Sequence, residues 1–133
     1  MDFEERIADY IDSLAVGLPL MYDRNSEESS LSLSRLPGGR IVQMYMDQTI
    51  DKELIFEITA KVKRNERLTA INALTKITDE LNELDILQSD DGSFDLLDIE
   101  VSDELHFSEA TTDGFIYFRL DFKALLTIYK EER

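Results

Sequence analysis

Apolar residues near the start of the chain recur at intervals of three and four. Phe3, Ile7, Tyr10, Ile11 and Leu14 share one face of a predicted helix, and Glu4, Glu5, Arg6, Asp9 and Asp12 occupy the rest. The helix should stop near Gly17, with Pro19 behind it. Leu18 to Tyr22 reads as a short strand, and Asp23 to Ser30 has the composition of a surface loop.

The period then falls to two. Leu31 and Leu33 sit between serines, Pro37-Gly38-Gly39 predicts a turn, and Ile41 to Met46 predicts the returning strand. Asp47-Gln48-Thr49 predicts another turn, leading into a longer strand. There Leu54, Phe56, Ile58, Ala60 and Val62 face one way, and Glu53, Glu57, Thr59, Lys61 and Lys63 face the other. Ile55 breaks the polar face. A helical stripe follows through Leu68, Ile71, Leu74, Ile77, Leu81 and Leu84, with Asn65 as the expected N-cap and an end near Asp85.

Asp91-Gly92, between Leu87 and Phe94, predicts a hairpin turn, after which Leu97, Ile99 and Val101 alternate with Asp98 and Glu100. From Gly114 onward Ile116, Phe118, Leu120, Phe122, Ala124, Leu126 and Ile128 take one face. Phe115 and Leu125 intrude on the other, beside Tyr117, Arg119, Asp121, Lys123 and Thr127. A strand of that length exceeds about 40 Å, so a bend or bulge is expected in it. The order of elements predicts an α+β fold: a mostly antiparallel sheet with two helices packed on one face, formed by residues 1–133 as a single domain.

Composition narrows the function classes. With 43% hydrophobic residues the chain can form a real core, and with no cysteine it has neither a disulfide framework nor a thiolate metal site. Its start, Met1-Asp2-Phe3-Glu4-Glu5, lacks the basic opening of a signal peptide. The longest uncharged segment, Ser13 to Tyr22, is about ten residues, half of what a bilayer requires, so no membrane role is expected.

The charge is −15 at pH 7, from 14 Lys and Arg against 29 Asp and Glu. Solubility alone accounts for such a charge; a wall that must not adhere to something negative accounts for it equally.

No catalytic or cofactor-binding residues stand out. His106 is the only histidine, with Asp103, Glu104 and Glu109 nearby, but no second His completes a zinc site and no serine sits in a nucleophile-elbow pattern. Ser89 to Asp95 superficially follows a calcium loop. However, Leu87 occupies one ligand position and Asp98 stands where a glutamate belongs, so a turn is the better reading and no metal is expected. Lys61, Lys63, Arg64 and Arg67 form the one basic concentration, read as a solvated strand end.

The apolar intruders say more. Met44, Tyr45 and Met46 are consecutive, so at least one points away from the core, as Ile55, Phe115 and Leu125 should. Several such residues on an outer sheet face suggest a protein contact, though a covering helix would explain them too.

Several stretches in order resemble the tail terminator family of long-tailed bacteriophages and prophages of Gram-positive bacteria, also called minor capsid or tail completion proteins. They are 31–40 (Leu-Ser-Leu-Ser-Arg-Leu-Pro-Gly-Gly-Arg), Tyr45-Met46-Asp47-Gln48-Thr49, 56–61 (Phe-Glu-Ile-Thr-Ala-Lys), Asp91-Gly92-Ser93-Phe94, and Asp113-Gly114-Phe115-Ile116-Tyr117 leading into Leu120-Asp121-Phe122. Two departures touch turns: Gln48 stands where a glycine is expected, and Thr111 and Thr112 stand where acids are usual.

The resemblance implies a structural virion protein without catalytic residues. It implies a ring of identical subunits, typically a hexamer, on the last ring of the tail tube. Its partners would be the major tail tube protein and a head-side connector or stopper, with DNA passing through unbound. An acidic lumen would then let DNA slide. A ring also needs heterologous contacts, for which Ile55, Phe115 and Leu125 would serve one side. The candidate docking residues are Met44, Tyr45, Met46, Asp47, Gln48 and Thr49, with the loops 23–30 and 47–51 meeting tube or connector. Two other readings compete: a neck or head-completion connector, and an acidic inhibitor that mimics DNA.

Overall fold

The computed structural model describes residues 2–20 and 29–129, without the side chains of Asp103 and Glu104. Six main elements follow in order: α1 (Phe3–Ser13), β1 (Ser30–Met44), β2 (Ile50–Lys63), α2 (Arg67–Glu83), β3 (Phe94–Ala110) and β4 (Phe115–Ile128). The strands form one sheet in the order β1-β2-β4-β3, and each neighbouring pair is antiparallel. The α+β expectation, with both helices on one face, holds. The β2–α2–β3 connection crosses over β4, so β2 and β3 run the same way.

Alternation decides which face is buried. Every second residue of β4, from Ile116 to Ile128, is buried, as are Leu54, Phe56, Ile58, Ala60 and Val62 of β2. Against them α1 sets Phe3, Ile7 and Ile11, while α2 sets Ala70, Ala73, Leu74, Ile77 and Leu81. The four phenylalanines at one end interlock. Phe3 lies 5.5 Å from Phe56 and 5.3 Å, edge-on, from Phe94, and Phe56 stacks on Phe122 at 5.4 Å. Each such ring pair contributes about 0.5–1.5 kcal/mol beyond its buried area.

The central pair is regular and the edges are not. β2 and β4 keep register from Ile50↔Ile128 to Lys63↔Phe115 without a shift. The bulge expected in the long last strand is therefore absent there. It sits in β3 instead, whose register slips between Leu96 and Asp98 and at three places further on. The first slip explains why Leu97 does not share a face with Ile99: two residues oppose one at a bulge, so Leu97 is turned out and half exposed.

Pro37-Gly38-Gly39 is likewise not a hairpin turn. β1 runs continuously through it, paired with β2 on both sides, with register shifts between Leu36 and Arg40 and between Ile41 and Gln43. As the outer strand, β1 tolerates a residue without an N–H. Gly38 takes φ +105, and at Gly39 a Cβ would stand 2.7 Å from the Glu53 carbonyl oxygen. The expected turn and returning strand are therefore replaced by one bulged strand, because a bulge and a turn use the same residues.

The remaining boundaries shift for local reasons. Asn65 lies within a 3-10 turn, Arg64–Glu66, and α2 begins at Arg67 with Glu66 as N-cap. Leu68, placed on the apolar stripe, is exposed, and Ala70 and Ala73 are buried in its stead. Of the strand expected at 18–22, Leu20 makes one isolated parallel bridge to Leu31. Residues 21–28, holding nearly all of the expected 23–30 loop, lie outside the described residues.

No strand precedes Asp91-Gly92, so this turn closes a coil from α2 to β3 and not a hairpin. No helix among the described residues is long and apolar enough to cross a membrane.

Candidate functional site

Two surfaces compete for attention, and the register separates them. On β2 the odd-numbered residues point away from the helices, and they pair with the odd-numbered residues of β4. Ile55, Phe115 and Leu125 are thus on the helix-free face, each half-buried among polar neighbours. Glu53 pairs with Leu125, Lys123 with Ile55, and the Lys61 ammonium lies 4.3 Å from the centroid of the Phe115 ring. Lys61 is buried, so it is not a solvated strand end; Lys63, Arg64 and Arg67 are exposed. Arg67 packs its guanidinium 5.7 Å from the Phe107 ring.

The same face carries carboxylates across the sheet: Asp51, Glu53 and Glu57 on β2, Asp121 on β4, and Asp95, Asp98, Glu100 and Glu109 on β3. Arg119 bridges two of the strands, with Nη1 3.4 Å from Glu57 and Nη2 3.3 Å from Glu109. Lys123 sits opposite Glu100. His106 is exposed on β3, opposite Arg119. Among the described residues no group of three or more His, Asp or Glu could hold a metal ion.

Met44 belongs to the other side. It pairs with Ile50, whose neighbours in register are core residues, so it extends the helix-side face at the edge of the sheet. Tyr45 and Met46 follow in the β1–β2 turn, and Met46 is fully exposed. The predicted contact residues therefore divide between the helix-free face and the β1–β2 turn with the end of β1.

The turn is well built. Tyr45 N–H donates to the Thr49 carbonyl at 2.8 Å, Gln48 N–H donates to the Tyr45 carbonyl at 2.9 Å, and Thr49 N–H donates to the Asp47 carboxylate at 3.0 Å. Gln48 holds φ +69. The missing glycine thus leaves its conformation in place, at the expense of strain. Thr49 is buried, so it supports the turn and presents nothing outward. The Tyr45 hydroxyl donates to Asp51 at 2.7 Å, and that bond to a carboxylate raises the phenol's pKa. The Thr127 hydroxyl donates to the other Asp51 oxygen at 2.7 Å.

The other departure is also explained. The Thr111 hydroxyl donates to Asp113, which lowers that carboxyl's pKa, and Gly114 takes φ +92. Threonine supplies locally the bond that closes this turn.

At the end of the molecule that holds the β1–β2 turn, the Ser89–Ser93 segment folds onto the start of α1. The Asp2 carboxylate accepts the Asp90 N–H at 2.8 Å and lies 2.6 Å from the Ser89 hydroxyl and 3.2 Å from that of Ser93. Burial alone would raise the Asp2 pKa, but these three donors outweigh it and the net direction is down. Asp91 is lowered further by Ser93 and Ser89, whose donors hold its carboxylate within the turn. The loop oxygens that invited a calcium reading are thus spent on hydrogen bonds to the chain itself. Because Asp2 faces the loop, it makes no side-chain cap on its own helix. Nothing in a residue-spacing pattern signals a contact between residues 2 and 89.

No family model matches the chain, and no curated protein matches it. Solved structures do. A chain in the virion of a native gene transfer agent particle superposes with a TM-score of 0.62 at 15% identity, over 94% of this chain and 90% of the other. A second solved chain gives a TM-score of 0.57 at 14% identity, over 96% of this chain and 92% of its own length. The chain therefore shares its whole fold, and little of its sequence, with a component of a virion.

Proposed function

We propose that the chain is a structural virion subunit, and specifically a tail terminator. It assembles as a ring, typically of six copies, on the last ring of the tail tube, stops tube growth and presents a joining surface to the head-side connector. Likeness in fold to a virion chain over nearly the full length supports the broader part of this reading. The observation that carries the finer part is the sheet face left free of helices. Carboxylates from three strands meet there, which suits a lumen past which a phosphate backbone slides. The β1–β2 turn, with Tyr45, Met46, Asp47 and Gln48 exposed, suits contact with tube or connector. Ile55, Phe115 and Leu125 lie on that same carboxylate-bearing face, so in this reading they border the lumen and are not assigned to the contact between neighbouring copies.

A DNA mimic fits the same face less well. Asp98 and Glu100 are two residues apart, about 6.6 Å along a strand, but Lys123 lies opposite Glu100 and Arg119 is tied to Glu109. A row of imitation phosphates would not be interrupted by cations.

The test mixes the purified protein with tail tube subunits and follows association by sizing and tube length by electron microscopy. Association with tubes of fixed length is expected. Met46→Asp should abolish it while leaving the melting temperature unchanged. No association, with tubes growing to unregulated length, overturns the reading; binding to a portal in place of the tube would mark a neck protein.

A further inference from the structure

The exposed hydrophobic side chains are unevenly placed. The end of the sheet where β3 begins, which is also the end that holds the β1–β2 turn, carries Ile86, 75% exposed, and Leu97, 50% exposed. Between the coil that leaves α2 and the first residues of β3 lies an open cleft of about 580 Å³. Ile86 and Leu87 of the coil and Phe94 and Leu97 of β3 line it, together with Asp85 and with Asp95, whose carboxylate also accepts the Tyr129 hydroxyl. Among the described residues no lysine or arginine is part of its lining. Leu97 reaches it only because the first bulge of β3 turns that residue out of the alternation.

A bulge that displays a leucine in an acid-lined cleft is poor design for a protein that only needs solubility. We propose that this cleft is a docking groove for a partner protein segment in which an apolar side chain is flanked by lysine or arginine. The apolar side chain fills the space between Ile86 and Leu97, displacing water from both. The flanking cations meet Asp85 and Asp95. Charge complementarity argues for this occupant, because both ionisable side chains in the described lining are carboxylates.

The inference does not rest on which virion position the chain occupies, and the experiment uses no phage component, so the two readings fail separately. The probe is a synthetic peptide, Gly-Lys-Leu-Leu-Lys-Gly, compared with Gly-Lys-Ser-Ser-Lys-Gly and Gly-Glu-Leu-Leu-Glu-Gly, each titrated into the full-length protein. Amide shifts from residues 85–97 are expected with the first peptide alone. Ile86→Ser and Leu97→Ser should each weaken its binding about tenfold, the loss that accompanies removal of one well-buried aliphatic contact. Leu68→Ser, an equally exposed leucine on α2, should leave binding unchanged.

Three results would overturn the proposal. One is shifts spread over the carboxylates of the sheet face, the mark of general attraction to a cation. Another is equal binding of the leucine and serine peptides. The third is self-association of the protein that Ile86→Ser abolishes, which would assign the cleft to a second copy.

Discussion

Replacing Gly39 by alanine separates two accounts of residues 37–39. At the tip of a hairpin turn an added methyl group would meet solvent. In the strand observed, that methyl would stand 2.7 Å from the Glu53 carbonyl oxygen and 3.6 Å from both Leu54 Cα and its Cδ2. The close atom belongs to the backbone of β2, paired with β1 on one side and β4 on the other, so it cannot step aside.

Overpacking of this kind costs about 1–3 kcal/mol. Alanine recovers roughly 0.4–1 kcal/mol by restricting the unfolded chain, leaving a net loss of about 1.5 kcal/mol. At roughly 2.1 cal/mol/K per residue, a chain of 133 residues turns that into a fall of about 5 °C in Tm. Urea denaturation followed by circular dichroism should show the same loss with an unchanged m-value. A Gly39→Ala protein within about 0.5 kcal/mol of the parent, near the ordinary scatter for surface substitutions, would refute the bulge.

Two further substitutions test the ends of the sheet. Gln48→Gly relieves a side chain held at φ +69; the strain of about 1–2 kcal/mol slightly exceeds the entropy glycine costs. The variant should be more stable by about 0.5 kcal/mol, and a loss in thermal denaturation would contradict the turn. Asp2→Asn should weaken the tie between α1 and the 89–93 loop by about 0.5–1.5 kcal/mol at pH 7. The Asp2 carboxyl is lowered from 3.8 in the folded state, so its contribution is complete above that value and disappears as pH falls through the lower folded one. Melting curves of parent and variant should therefore differ at neutral pH and converge as pH falls through the lowered folded value; a constant difference would exclude the carboxylate as its source.

Periodicity made most of this architecture legible. The alternation in β2 and β4 needed no knowledge of partners, because a central strand with one buried face writes its orientation in every second residue. The edges were harder. A bulge resets the phase of alternation, so Leu97 looked like a companion of Ile99, and Pro37-Gly38-Gly39 carries the same composition at a bulge as at a turn.

Among the candidate contact residues, those on β2 and β4 were placed correctly on the helix-free face. For Met44, Tyr45 and Met46 only that at least one points away from the core was legible, since the side Met44 takes depends on how many residues the bulge at 41–43 consumes. Thr49 could not be known as buried from a turn motif. The acid-lined cleft was invisible because Ile86 and Leu97 meet only through the path of the coil between them.

One consequence concerns the two outer strands of the sheet, β1 and β3. An outer strand with unspent N–H and carbonyl groups recruits stray strands, and a crowded cell offers many. Here a proline and two register slips interrupt one border, while four slips and a run of carboxylates interrupt the other. Neither border offers a long straight template for fibril growth. A stray strand therefore finds little regular ladder to extend on the described edges.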